Sequence, residues 1–136
     1  MIVLDASVWI SSIRDNELHH DVSRRWRAGW RDGANPIVVP AHFLAEVASS
    51  TARACDSEAD GLSAMRDVLE EPLVTIAPLT ETLAQAAARA AARCRIRAGD
   101  ALYVALAQEL DVLLVTWDQQ LLDRARVLVD VQVPTV

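Results

Sequence analysis

Residues 97–118, RAGDALYVALAQELDVLLVTWD, decide how the chain is read, because they form one complete structural unit with an acid at each end. Gly99 and Asp100 open a helix, and the apolar run Val112 to Val115 is short and β-branched enough for an interior strand. Asp118 should then emerge just past that strand's carboxyl end. A helix followed by a buried strand implies a parallel sheet, and parallel sheets bind ligands outside the carboxyl ends of their strands. The first strand, Ile2 to Leu4, closes directly on another acid, Asp5.

Working outward, the spacing predicts a chain of alternating strands and helices. After Asp5, Ala6 to Ile10 turns into a brief helix, and Arg14 to Leu18 is a polar loop. Val22, Trp26 and Trp30 recur at helical spacing within Asp21 to Trp30, with Arg24, Arg25 and Arg27 on the opposite face. Gly29, Gly33 and Asn35-Pro36 end that helix and lead into the strand Ile37 to Val39. Pro40 can stand at the start of the next helix, Ala41 to Cys55, with Phe43, Leu44, Val47 and Ala48 facing inward. Glu46 borders that apolar stripe. A second helix, Asp56 to Glu70, carries Leu62, Met65, Val68 and Leu69 in register and stops before Pro72. Leu73 to Ala77 is a third strand, Thr80 caps a helix from Glu81 to about Arg95, Asp118 to Leu122 is a short helical turn, and Val127 to Val129 is an edge strand. The fold class expected is α/β: residues 1–136 as a single domain, a three-layer sandwich with a mainly parallel central sheet flanked by helices.

Composition narrows the function. With 52% apolar residues in 136 the chain is expected to be globular with one core. No apolar run approaches a membrane span and no basic leader precedes Ile2, so the expected location is cytoplasmic. Two cysteines, Cys55 and Cys94, are too few for a disulfide framework or a zinc site. A net charge of −6 argues against binding nucleic acid through a broad basic surface. Every basic side chain is arginine, which suits phosphate recognition and equally fits a compositional bias. The absence of lysine excludes a receiver-like phosphotransfer site, which depends on one.

Four acids are then candidates for one site. Asp5 ends the first strand, Glu46 follows the second, Asp100 begins the helix before the fourth and Asp118 follows the fourth. Taken singly they read as a turn residue, a helix-face acid, a helix cap and a turn. If the first and fourth strands are neighbours, all four converge, and clustered carboxylates repel unless a hard divalent cation lies among them. His19, His20 and His42 are not placed as bases, and His42, four residues before Glu46, reads best as a helix-surface residue. Arg89, Arg93 and Arg97 recur every four residues. They, or Arg24, Arg25, Arg27 and Arg31, are candidate phosphate contacts or ordinary solvated faces. Trp26 and Trp30 read as core, whereas Trp9 and Trp117 stand close enough to acids for base stacking.

In combination these signals carry a resemblance. A hydrophobic strand closing on Asp5-Ala6-Ser7, the helix segment Leu44-Ala45-Glu46-Val47, the run Asp100 to Ala107, and Val115-Thr116-Trp117-Asp118 with Leu121 beyond it resemble the PIN-domain ribonucleases. The chain is most similar to the VapC toxins of prokaryotic VapBC toxin-antitoxin systems. The resemblance covers essentially the whole chain. It implies a PIN-like fold and an endoribonuclease that hydrolyses RNA phosphodiesters with activated water. Asp5, Glu46, Asp100 and Asp118 would be the catalytic, metal-holding acids for Mg²⁺ or Mn²⁺, with Asp5 and Asp100 as direct ligands. Ser7 and Thr116 would support them, unless they are turn-capping hydroxyls. It further implies a cognate antitoxin protein as partner and a homodimer. A same-fold nuclease acting in RNA processing or on DNA, or a non-catalytic interaction domain, are the alternatives.

Overall fold

The computed structural model describes residues 1–136. In chain order the elements are β1 (Ile2–Leu4), α1 (Ala6–Ile13), α2 (His20–Asp32), β2 (Ile37–Pro40), α3 (Phe43–Cys55), α4 (Glu58–Glu70), β3 (Val74–Ala77), α5 (Glu81–Cys94), α6 (Ala98–Leu110), β4 (Leu114–Val115), α7 (Gln119–Arg124), a 3₁₀ turn (Ala125–Val127) and β5 (Val131–Gln132). The five strands form one sheet in the order β3-β2-β1-β4-β5. Every pairing is parallel, so the sheet is more uniform than the mainly parallel one expected from sequence. No helix is long and apolar enough to cross a membrane.

Strand order sets the position of any site. The chain steps outward from β1 to β2 and β3, then returns to lay β4 on the other side of β1. The sheet reverses direction of growth between β1 and β4, and such switch points open a crevice at the carboxyl ends of the two strands. Val3 pairs with Leu114 and Leu4 with Val115, so Asp5 and Thr116 leave the sheet side by side. The Asp5 N–H still donates to the Val115 carbonyl at 3.0 Å, which carries the pairing up to the acid itself.

The core explains why the strands hold. Val3, Leu4, Val39 and Leu114 are fully buried, as a parallel sheet covered on both faces requires. Helix α6 lies against the sheet with Ala101, Val104, Ala105 and Ala107 buried, small side chains that let it approach closely. Helices α3 and α4 pack so tightly that a Cβ on Gly61 would stand 2.7 Å from the Ala48 carbonyl oxygen and 2.9 Å from the Ala52 Cβ. The inward stripe of α4 is accordingly Gly61, Ala64 and Val68, while Leu62 and Leu69, expected from the sequence to face inward, are exposed. Thr80 caps α5 as expected, its hydroxyl accepting the Leu83 N–H at 3.1 Å. Helices α3, α5 and α6 each end on a left-handed residue that is not glycine: Asp56, Arg95 and Asp111.

Two expectations are corrected. Val127 to Val129 is not a strand. Leu128 and Val129 both donate to the Ala125 carbonyl, closing a turn after α7, and Leu128 and Val129 pack their side chains on the core. The ladder begins later, where Leu114 donates to Asp130, so the edge strand is Val131–Gln132. Trp9 is the second correction. It is buried in contact with Phe43, edge to face at 6.0 Å, and takes no place on a site rim. The Arg27 guanidinium lies 3.7 Å over the Trp9 ring and donates to Ser12 and Glu71, so that arginine belongs to the packing between α1, α2 and the α4–β3 turn.

Candidate functional site

Asp5 stands at the N-cap position of α1 with extended backbone, yet its side chain does not cap that helix. The carboxylate is turned across the sheet end. Its Oδ2 accepts hydrogen bonds from Ser7 Oγ at 2.6 Å and Thr116 Oγ1 at 2.7 Å. Each hydroxyl is also an acceptor: Ser7 Oγ receives the Trp117 N–H at 3.1 Å, and Thr116 Oγ1 receives the Asp118 N–H at 2.9 Å. Four bonds therefore stitch residues 116–118 to Asp5, and both donors fall on one oxygen of the carboxylate. Oδ1 has no protein donor.

Asp118 divides its two oxygens in the same way. Oδ1 caps α7 by accepting the Gln120 and Leu121 N–H groups at 2.8 and 3.2 Å. Oδ2 faces the Arg97 guanidinium at 3.5 Å. Asp100, in the first turn of α6, meets the same guanidinium, with Arg97 Nε 3.3 Å from its Oδ2. A single arginine thus bridges the two acids that bound residues 97–118. Arg97 is 77% exposed, so water screens both pairs and holds the bridge only weakly.

Glu46 comes from the first turn of α3. Its Oε1 accepts the Tyr103 hydroxyl at 3.0 Å. His42 Nε2 lies 2.8 Å from the same oxygen, but off the line of a hydrogen bond, and neither ring nitrogen of His42 has a hydrogen-bond partner. The imidazole instead leans on the Tyr103 ring at 4.9 Å. It is partly buried within the site wall, where the sequence placed it on an open helix surface.

Electrostatics link the four acids. Burial lifts the Asp5 carboxyl from 3.8 to about 6, against the two hydroxyl bonds that favour its charge, and the Glu46 and Asp100 carboxylates push it further up. Asp100 is raised too, by burial first and by Asp118 next, with Arg97 opposing. Each acid therefore feels at least one other. The donors are carboxylate oxygens, the chemistry that a hard divalent cation takes. As placed, no three His, Cys, Asp or Glu side chains are grouped closely enough to hold one ion, and it is the donor chemistry that fits a divalent cation.

The remaining sequence candidates fall outside this group. Arg89 and Arg93 are exposed along α5 and form no ion pair. Trp117 sits at the edge, its Nε1 donating to Ser23 Oγ at 2.8 Å and its ring stacked on His19 at 3.8 Å. A cleft of about 640 Å³ lies elsewhere, between Trp9, Arg27, Arg31 and Glu71. None of the four acids lines it; they gather at the carboxyl end of the sheet. Tyr103 is the residue that sequence reasoning missed. Its signal was a lone phenol, one helical turn after Asp100, in an otherwise apolar run.

The model of the PIN domain family matches residues 2–127. No curated protein matches the sequence. Among solved structures, the chain is similar to VapC20 of Mycobacterium tuberculosis, described as a sarcin-ricin loop cleaving toxin, with a TM-score of 0.74 and 19% identity over 88% of this chain and 91% of that one. VapBC2 of Rickettsia felis, solved on a DNA fragment from its promoter, is similar with a TM-score of 0.72 and 15% identity over 98% of both chains. FitAcB of Neisseria gonorrhoeae gives a TM-score of 0.72 and 21% identity, again over 98% of both. At these identities the likeness is one of fold.

Proposed function

The chain belongs to the PIN domain family, and from that premise we propose that it is the toxin of a toxin-antitoxin pair, a divalent-metal-dependent endoribonuclease held in check by a cognate antitoxin in the cytoplasm. The observation that carries this reading is the clamp on Asp5. Two hydroxyls and two backbone amides orient a buried carboxylate at the switch point of the sheet, and Asp118 and Asp100 arrive there on the elements that follow and precede β4. A protein whose acids served only to cap helices would have no reason to bury one and surround it with like charge.

The residues that would hold Mg²⁺ or Mn²⁺ are Asp5, Asp100 and Asp118, with Glu46 completing the set. What such an ion supplies when bound is Lewis acidity toward a phosphoryl oxygen and a lowered pKa for water. The rest is done by the chain. Ser7 and Thr116 occupy Oδ2 of Asp5, so Oδ1 is the oxygen left for a ligand. Asp118 spends Oδ1 on the α7 cap and offers Oδ2. Arg97 is a bidentate donor already at the mouth, free to exchange Asp100 and Asp118 for an RNA phosphate. Arg89 and Arg93 extend positive charge from it along α5, giving the polyanion a path that the net charge of −6 does not otherwise offer. Histidine has no required role in this scheme.

Support for a protein partner comes from the neighbours: one, from Klebsiella pneumoniae, is described as a toxin-antitoxin complex, and VapBC2 and FitAB were each solved on DNA. A homodimer is part of the same reading. The test is RNA cleavage by the purified chain beside its Asp5→Asn form, with Mn²⁺ or Mg²⁺ and with EDTA. Cleavage only by the unaltered chain with metal, and growth arrest on its expression without arrest by the variant, are expected. Equal arrest by both, or no cleavage of any cellular RNA with either ion, overturns the proposal.

A further inference from the structure

Tyr103 is fully buried, and its hydroxyl is the one polar side-chain group on the inner face of α6, among Ala101, Val104, Ala105, Leu106 and Ala107. Burying a hydroxyl costs free energy unless it finds a partner. Here it finds one: it donates to Glu46 Oε1 at 3.0 Å. Glu46 is 39% exposed and could be solvated by water alone, so the bond does more for its placement than for its solvation. Through one atom, Tyr103 joins α6, which carries Asp100, to Glu46 on α3.

We propose that Tyr103 is a positioning residue of the acidic site: by donating to Oε1 it sets the direction of the Glu46 carboxylate and leaves Oε2 as the oxygen offered to a divalent cation. This rests on the functional reading above. His42 supplies a wall. Its ring packs against the phenol, and its Nε2 stands 2.8 Å from Glu46 Oε1.

The experiment is a Mn²⁺ titration of the intact chain by calorimetry, with Tyr103→Phe, Glu46→Gln and the double variant. The Phe variant keeps the ring and its packing and loses only the donor. Partners that orient metal-binding residues are worth roughly 10–100-fold in metal affinity. Tyr103→Phe is expected to weaken Mn²⁺ binding by at least about tenfold while its metal-free thermal midpoint stays within a few degrees of the unaltered chain. The double variant is expected to bind no more weakly than Glu46→Gln alone, since Tyr103 acts through that carboxylate. At saturating Mn²⁺ the Phe variant should recover most of its RNA cleavage rate. Unchanged Mn²⁺ affinity in Tyr103→Phe, or a further loss in the Glu46→Gln background, overturns the positioning role and leaves the hydroxyl a purely structural group. If the unaltered chain binds neither Mn²⁺ nor Mg²⁺, the nuclease reading itself falls and this role with it.

Discussion

Replacing Asp5 by Asn should make the metal-free protein more stable at neutral pH. The fold lifts the Asp5 carboxyl from 3.8 to about 6, chiefly by burial. A raised carboxyl means that the folded state favours the protonated form. Below about pH 3.8 the residue is protonated in folded and unfolded chains alike, and its contribution is fully present. As pH rises through about 6 the folded carboxyl must ionise in its buried place, and that stability is lost. At about 1.36 kcal/mol per pH unit the loss amounts to ~3 kcal/mol. Asn has the same shape, carries no charge, and keeps an oxygen to accept the Ser7 and Thr116 hydroxyls. Urea unfolding in EDTA, followed by tryptophan fluorescence, should therefore show Asp5→Asn more stable by ~2–3 kcal/mol at pH 7.5 and indistinguishable from the parent near pH 3.5. Added Mn²⁺ should reverse the order at pH 7.5, since only the carboxylate gains from the cation. A gain of equal size at both pH values, or a loss at pH 7.5, would refute the reasoning and show that burial does not penalise this charge.

Two further outcomes follow from the backbone. Gly61→Ala places a Cβ 2.7 Å from a carbonyl oxygen of α3, so the two helices must part, and chemical denaturation should show a loss of ~1–3 kcal/mol despite the better helix propensity of alanine. Arg95→Gly relieves a non-glycine residue at φ 53° whose side chain forms no ion pair, and thermal melting should show a gain of ~0.5–1 kcal/mol.

The order of elements, the parallel sheet and the emergence of acids at strand ends were legible because each has a local cause. Ile2 to Leu4 and Val112 to Val115 are short β-branched runs, and Thr80 is a capping residue before a helical pattern. The positions of Asp5, Glu46, Asp100 and Asp118 relative to their elements follow from the same local rules. What escaped was decided by distant partners. Val127 to Val129 has a strand's composition, but a strand also needs an edge to pair with, and the Ala125 turn leaves only Val131–Gln132 alongside β4. Nothing near Trp9 in sequence shows that Arg27 and Phe43 close over it. Leu62 and Leu69 fall on the wrong side of α4 because Gly61, a residue with no hydrophobic signal, is the one in closest contact with α3. Tyr103 stands in an apolar helical run and is buried in the core. Its second role depends on Glu46, 57 residues earlier, and no local pattern announces that meeting.

The bond from Thr116 to Asp5 spans 111 residues, nearly the full length of the chain. During synthesis, at roughly 5–20 residues per second, Asp5 waits on the order of ten seconds for the hydroxyl that orients it. Until β4 has been made and has slotted in beside β1, the nascent chain holds a lone carboxylate and no crevice. An enzyme that attacks RNA would be born beside its own messenger and the ribosome translating it. On the proposed ribonuclease reading, a site completed only by its last strands would leave the unfinished polypeptide harmless to both.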